Sequence, residues 1–327
     1  MDAHARAAMR RVLWPAYAVA ILVGWGVWLA WRAGWADAAA HWPMALVMAA
    51  GSLVAGSTPM SGGAVAFPAL VLWFGESPAL ARDFGLAIQS VGLISALLFI
   101  LWRGIPIEGS LLAWSAAGSA TGLGLGTWLL AGRVPPDMVK LLFGTLWVSF
   151  GLWLMTMPSG GRGDARPPLS AGRARTMGVV AGVAGGLLAS LIGVGVEMTV
   201  YAALVLRAAW GPRSAVPTAV CAMALASPLG LLLRATTAGL DPRMWSYWSA
   251  AVPIVLVGAP AGAFFSTRIP RRVLLNGIGI LALTQFTMTI IQVRPTATLW
   301  VATVTVALAG SVGLRWLSRR AGQHVVA

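Results

Sequence analysis

The sequence predicts an all-α polytopic membrane protein of about eight full transmembrane helices plus two broken helical segments, built as two structural repeats of inverted orientation. Three observations predict it. Of the 327 residues 58% are hydrophobic and only 10% charged, with a mean hydropathy of +0.81. A soluble domain cannot hide that much apolar surface, so lipid must act as its solvent. Many of the 17 Trp residues stand near the ends of apolar runs (Trp14, Trp31, Trp42, Trp73, Trp102, Trp128, Trp245, Trp300), where amphipathic indoles mark the headgroup level. Finally, two apolar stretches are interrupted at matching places by glycine-rich, helix-breaking segments.

Taken along the chain, the run 13–31 follows Arg6, Arg10 and Arg11. It reads as an uncleaved first span, too long and too rich in Trp for a signal peptide despite the small residues of Ala36 to Ala40. With its connector it forms an extra unit, 1–43. The first repeat, 44–157, opens with a broken segment from Met44 to Phe74, interrupted from Gly56 to Gly63. It continues with apolar runs at 84–102, 107–131 and 138–157. A basic loop, 158–175, carries Arg162, Arg166, Arg173 and Arg175. The second repeat, 176–291, opens with a broken segment from Gly178 to Leu206, interrupted from Leu191 to Glu197, and continues with runs at 214–233, 244–265 and 273–291. A last run, 297–317, and a basic tail make up 292–327. Each full run supplies the roughly 20 residues that a hydrocarbon core requires.

The halves match beyond shared hydrophobicity. Gly51 to Gly63 resembles Gly182 to Gly195, and Leu70-Val71-Leu72 resembles Leu204-Val205-Leu206. Gly122 and Gly126 match Gly258 and Gly262, followed by Arg133-Val134-Pro135 against Arg268-Ile269-Pro270. The halves therefore read as a duplicated unit. Pieces such as 44–56 and 64–74 are too short to span alone, which favours re-entrant hairpins over single crossings. Hairpins also place more of the 23 Lys and Arg residues inside, with both termini cytoplasmic in a bacterial inner membrane. Each repeat then has three full crossings, which inverts the second relative to the first.

A formal net charge of +14 does not point to nucleic acid, because the Arg residues cluster between apolar runs, where they hold cytoplasmic loops inside. Cys221, the single cysteine, excludes an internal disulfide, a CxxC redox pair and a Cys-based metal site. His4, His41 and His324 are too scattered for a metal cluster. No metal, cofactor or nucleic-acid partner is expected.

Irregular backbone at membrane depth is tolerated only where protein buries it or it lines a polar cavity. The two breaks are therefore the candidate substrate site. Half-helices beginning near Gly63 and Val196 present unpaired N–H groups and a positive dipole end, which suits an anion. Ser57, Thr58 and Ser61 add hydroxyl donors, while Gly62, Gly63, Gly193 and Gly195 let a ligand approach the backbone. The competing reading is that the glycines only permit tight helix packing.

Glu197 is the sharpest residue, a carboxylate in an apolar stretch. It reads as an ion-pair partner of Arg213 or Arg82, as a protonated carboxyl satisfied by the backbone, or as a proton-coupling residue whose neutral form admits an anion and whose charged form repels it. Asp83 is expected to cap the helix that follows it. Gln89 is a candidate for hydrogen bonding to substrate or to a neighbouring helix. Asn276, Thr284, Gln285, Thr287 and Gln292 form a further polar series.

Gly56 to Pro68, then Ala81 to Gln89, and the second-half Gly193-Val194-Gly195 resemble the sulfite exporter TauE/SafE family of membrane permeases over roughly residues 44–291. The resemblance implies a secondary transporter for sulfite, sulfonates or related small organic anions, driven by an ion gradient and working by alternating access. Glu197 departs from the small residue expected there. The expected partners are the anion, a coupling ion for which the proton is the candidate, the lipid bilayer and, as an assembly the sequence permits, a second copy of the chain. An enzyme is disfavoured, because HExxH, GxSxG, Walker A and paired intramembrane aspartates are all missing. A non-transporting assembly or sensor subunit is the alternative; it would need no polar cavity.

Overall fold

The computed structural model describes residues 3–32, 34–130, 132–156, 166–265 and 271–293, with the isolated positions 296, 300 and 305. Every element among them is helical: α1 (Ala3–Trp31), α2 (Trp35–Ala40), α3 (Trp42–Ser57), α4 (Gly63–Pro68) continued by a π-helical turn (Ala69–Trp73), α5 (Pro78–Trp102), α6 (Gly109–Leu129), α7 (Pro136–Thr156), α8 (Ala171–Ile192), α9 (Val196–Arg207), α10 (Pro212–Thr237), α11 (Met244–Phe265) and α12 (Arg271–Val293).

Among the described residues, six helices are long and apolar enough to cross a membrane: α1, α5, α7, α8, α10 and α11. The multi-pass membrane architecture stands, but the count of eight does not follow from these helices. α6 has 21 residues, yet its many Gly and Ser residues dilute its hydropathy. The 297–317 run lies outside the described residues except at two positions. α8 begins at Ala171, inside the segment read as a basic loop, because nothing between Ala171 and Ile192 breaks a helix. It is a full-length helix rather than half of a broken one.

The breaks fall where expected, at Thr58–Gly62 and Gly193–Gly195, and the helices after them start at Gly63 and Val196. Each break reverses the chain. Thr199 on α9 donates its hydroxyl to the Ala181 carbonyl of α8 at 2.8 Å, and the Arg173 side chain at the head of α8 reaches the Arg207 carbonyl at the foot of α9. In the first segment His41, before α3, and Phe74, after the π turn, both lie against the Tyr247 ring, 4.8 and 5.6 Å away. Thus α3 with α4, and α8 with α9, are antiparallel pairs whose ends share one side.

The hairpin arms are seated across the halves: α3 packs on α11 and α8 packs on α6, while α5 meets α10 and α7 meets α12. Small residues make these contacts close. A Cβ at Gly122 or Gly182 would collide with backbone of the facing helix in the α6/α8 pair, and one at Gly56 or Gly262 would do so in the α3/α11 pair. Helix α1 stands outside and faces away from the body along most of its length. It is tied on by Trp14 Nε1 to Ser95 Oγ at 2.9 Å and by Trp25 Nε1 to the Ser249 carbonyl at 2.8 Å.

Candidate functional site

The two hairpin tips meet against the middle of α5. Gly63 lies against Val194 and the Gln89 amide, so closely that a Cβ there would need both to move. Gln89 donates Nε2–H to the Gly193 carbonyl at 2.9 Å and to the Gly85 carbonyl at 2.7 Å. It therefore ties the second tip to α5, while its Oε1 is buried without a hydrogen-bond partner. Gly193 and Gly195 hold φ of 75° and 138°, conformations that side chains resist, which is why glycine stands at this turn.

Glu197 sits at the junction of the tips and is 1% exposed. Its Oε1 accepts from the Ser61 N–H of the first break and its Oε2 from the Gly195 N–H of the second, both at 3.3 Å. These bonds are long for N–H to oxygen, so the carboxylate is held loosely by donors from both halves. The ion-pair reading is not what the structure places there: Arg82 Nε donates to Asp83 at 2.7 Å, and Arg213 is exposed. The N–H groups at the two tips thus face an acidic side chain of the protein itself.

The hydroxyls divide. Ser57 donates to the Leu53 carbonyl at 2.6 Å and Thr58 to that of Val54 at 2.8 Å. Ser57 is thus turned back on α3, whereas Thr58 Oγ1 also accepts from the Met60 N–H within the break at 3.1 Å, so its hydroxyl holds the backbone of the break itself. Ser61 Oγ is buried without a partner. Gly62 lies beside Met48. A mostly apolar gap bounded by Met48, Ser52, Gly62, Gln89 and Val255 adjoins the first tip; it has room for about one water molecule, too little for an oxyanion.

The assignment of Asp83 changes. Ser77, not Asp83, caps α5 by accepting from the Leu80 N–H at 3.1 Å. Asp83 instead takes Arg82 and, at 3.4 Å, Arg234 Nε of α10. Arg234 was not singled out from the sequence, because an Arg near the end of an apolar run reads as an interface anchor. In the later polar series Gln285 is buried with Oε1 unpartnered, while Asn276, Thr284 and Thr287 are exposed and the Gln292 side chain lies outside the described residues. Among the described residues there is no group of His, Cys, Asp and Glu that could hold a metal ion.

A family model described as sulfite exporter TauE/SafE matches residues 44–288. The chain belongs to the TauE/SafE family. Membership of this family implies a membrane transporter of sulfur anions, and the matched residues include both breaks, Gln89 and Glu197. The N-terminal helix of this TauE/SafE protein lies outside the match. No curated protein and no solved structure matches the chain.

Proposed function

We propose that this TauE/SafE protein is a secondary transporter that carries sulfite, a short sulfonate or a related sulfur anion by alternating access, with the junction of the two hairpin tips as its substrate site. The observation that carries the reading is Glu197. A buried carboxylate is costly in an apolar interior, and here it lies on N–H donors from both breaks. Those donors suit an anion arriving from either side. While Glu197 is charged it holds them and repels a second anion. When it takes up a proton it releases them and becomes neutral, so anion and proton bind together.

The same reading makes each antiparallel pair a re-entrant hairpin. The 12 residues of α9 rise only about 18 Å, well short of the roughly 30 Å hydrocarbon core. The contact between Arg173 and the Arg207 carbonyl supports an entry and exit on one side. We take α5, α6 and α7 as the crossings of one half and α10, α11 and α12 as those of the other, with α8, although long enough to cross, as a hairpin arm. Three crossings per half then invert the second repeat, and Arg clusters hold both termini in the cytoplasm of a bacterial cell. Exchange of α3 onto α11 and α8 onto α6 supports division into units at 44–157 and 176–291, the second starting earlier, at Ala171. The junction sits where both units contribute, as in transporters built from inverted repeats.

The test is flux of labelled sulfite and of a short sulfonate into liposomes holding the purified protein, with and without an imposed pH gradient. Wild type is expected to carry at least one anion faster when the gradient is applied. Glu197→Gln is expected to abolish that acceleration. Acceleration that survives in Glu197→Gln removes the proton proposal, and absence of flux with folded protein removes the transport reading in favour of an assembly or sensor subunit.

A further inference from the structure

A second polar cluster lies in the same interior, one layer beyond the second tip. Gly193 at that tip lies against the Arg82 backbone. Gly230 of α10 packs against Leu86 of α5 and Leu123 of α6. One helical turn further toward the same end, α5 and α10 bring the Arg82–Asp83 pair and Arg234 together, and the helical period carries Thr127 of α6, one turn past Leu123, toward the same layer. Asp83 Oδ1 is the shared acceptor, 2.7 Å from Arg82 Nε and 3.4 Å from Arg234 Nε. Side-chain exposure is 5% for Arg82, 5% for Asp83 and 11% for Arg234.

Two guanidinium groups thus share one carboxylate, leaving an excess positive charge with little access to water. Such an imbalance is costly unless something neutralises it. Arg82 also keeps Nη2 buried without a hydrogen-bond partner, and Thr127 Oγ1 is likewise unpartnered. Planar guanidinium forks and a hydroxyl are the donors that bind a sulfur or phosphorus oxyanion. The equivalent part of the other half carries no such charge: α10 opens on Pro212 as α5 opens on Pro78, and its Val216 and Pro217 stand where α5 has Arg82 and Asp83.

We propose that Arg82 and Arg234 form a second anion-binding site, for a small sulfur oxyanion, on the layer between the second hairpin tip and the end of the bundle where α5 begins and α10 ends. The identity of the ligand rests on the transport reading above; the site itself rests on the uncompensated charge. An anion leaving the tip junction passes to this layer, so the two sites are successive stations at one end of the path.

The experiment titrates sulfite, methanesulfonate and sulfate onto the full chain in phosphatidylcholine nanodiscs, alongside liposome flux of the same preparation. Arg234→Gln leaves Arg82 and Asp83 as a neutral pair. It is expected to weaken anion binding by about tenfold or more while its thermal midpoint stays level or rises, since a buried charge imbalance has been removed. Arg234→Lys is expected to recover part of the affinity. A solely structural Arg234 would show the reverse, a lower midpoint with wild-type affinity, and that result overturns the proposal. No binding of any of the three anions to wild type also overturns it, as does loss of the Arg234-dependent binding when phosphatidylglycerol is added, which would make a lipid headgroup the occupant. Arg234-dependent binding without flux would keep the site and sink the transport reading; flux with Arg234-independent binding would do the opposite.

Discussion

Gly193 shows how a single position can carry both fold and site. Its φ of 75° costs a residue with a side chain about 1–2 kcal/mol, and a Cβ there would also collide with the Arg82 carbonyl. Gly193→Ala is therefore expected to lower the thermal midpoint clearly in detergent or nanodiscs. Gly124→Ala, on a helix face with open space around it, is expected to be neutral or stabilising; equal midpoints for the two variants would refute the tight-tip account. The importance of the tip glycines was legible in the sequence because glycines inside an apolar stretch break helices. The fate of Ser57 and Thr58 was not. A hydroxyl at the end of a helix can turn outward to a ligand or back to a carbonyl one turn earlier, and only coordinates decide between them. Asp83 was misread for a related reason: its charge partner Arg234 lies 151 positions away, a distance that local pattern reading does not cross.

At the scale of elements, the half-helix starts at Gly63 and Val196 were read correctly because glycine and apolar periodicity mark them without tertiary information. The start of α8 was read late, since the charges of Arg173 and Arg175 suggested a loop. The basic segment is already helix, with the exposed Arg175 stacked over the Trp114 ring of α6 at 4.8 Å. The hairpin account makes a direct prediction. In a Cys221→Ala background, cysteines at Gly172 and Arg213, both exposed, should react with an impermeant thiol reagent from the same face of the membrane. A cysteine at Ser77 should react only from the other face. Labelling of Gly172 and Arg213 from opposite faces would show that α8 and α9 together cross the bilayer.

Across the whole molecule, the cross-seating of the hairpins means that neither half can complete its own core. α8 has its closest glycine contacts on α6, and α3 has its own on α11. Chains divided between residues 157 and 171 should therefore yield protease-resistant, monodisperse protein only when both parts are expressed together. A first part that is well behaved alone would contradict this dependence. Paired glycines such as Gly122 and Gly258 suggested a duplication in the sequence, whereas the seating of α3 on α11 and of α8 on α6 was not legible, because a packing stripe of small residues does not name the helix it will meet.

The Arg82–Asp83–Arg234 layer stands at one end of the bundle and has no counterpart where α10 begins. If the proposed site binds anions, positive charge held nearer one end favours their capture on that side and so speeds loading from that face at low concentration. Detailed balance forbids it from altering the final distribution of solute, which the driving gradients alone determine. Under the transport reading and the second anion site proposed above, the carrier would fill faster from one compartment than from the other, and would do so without drawing on whatever gradient drives it.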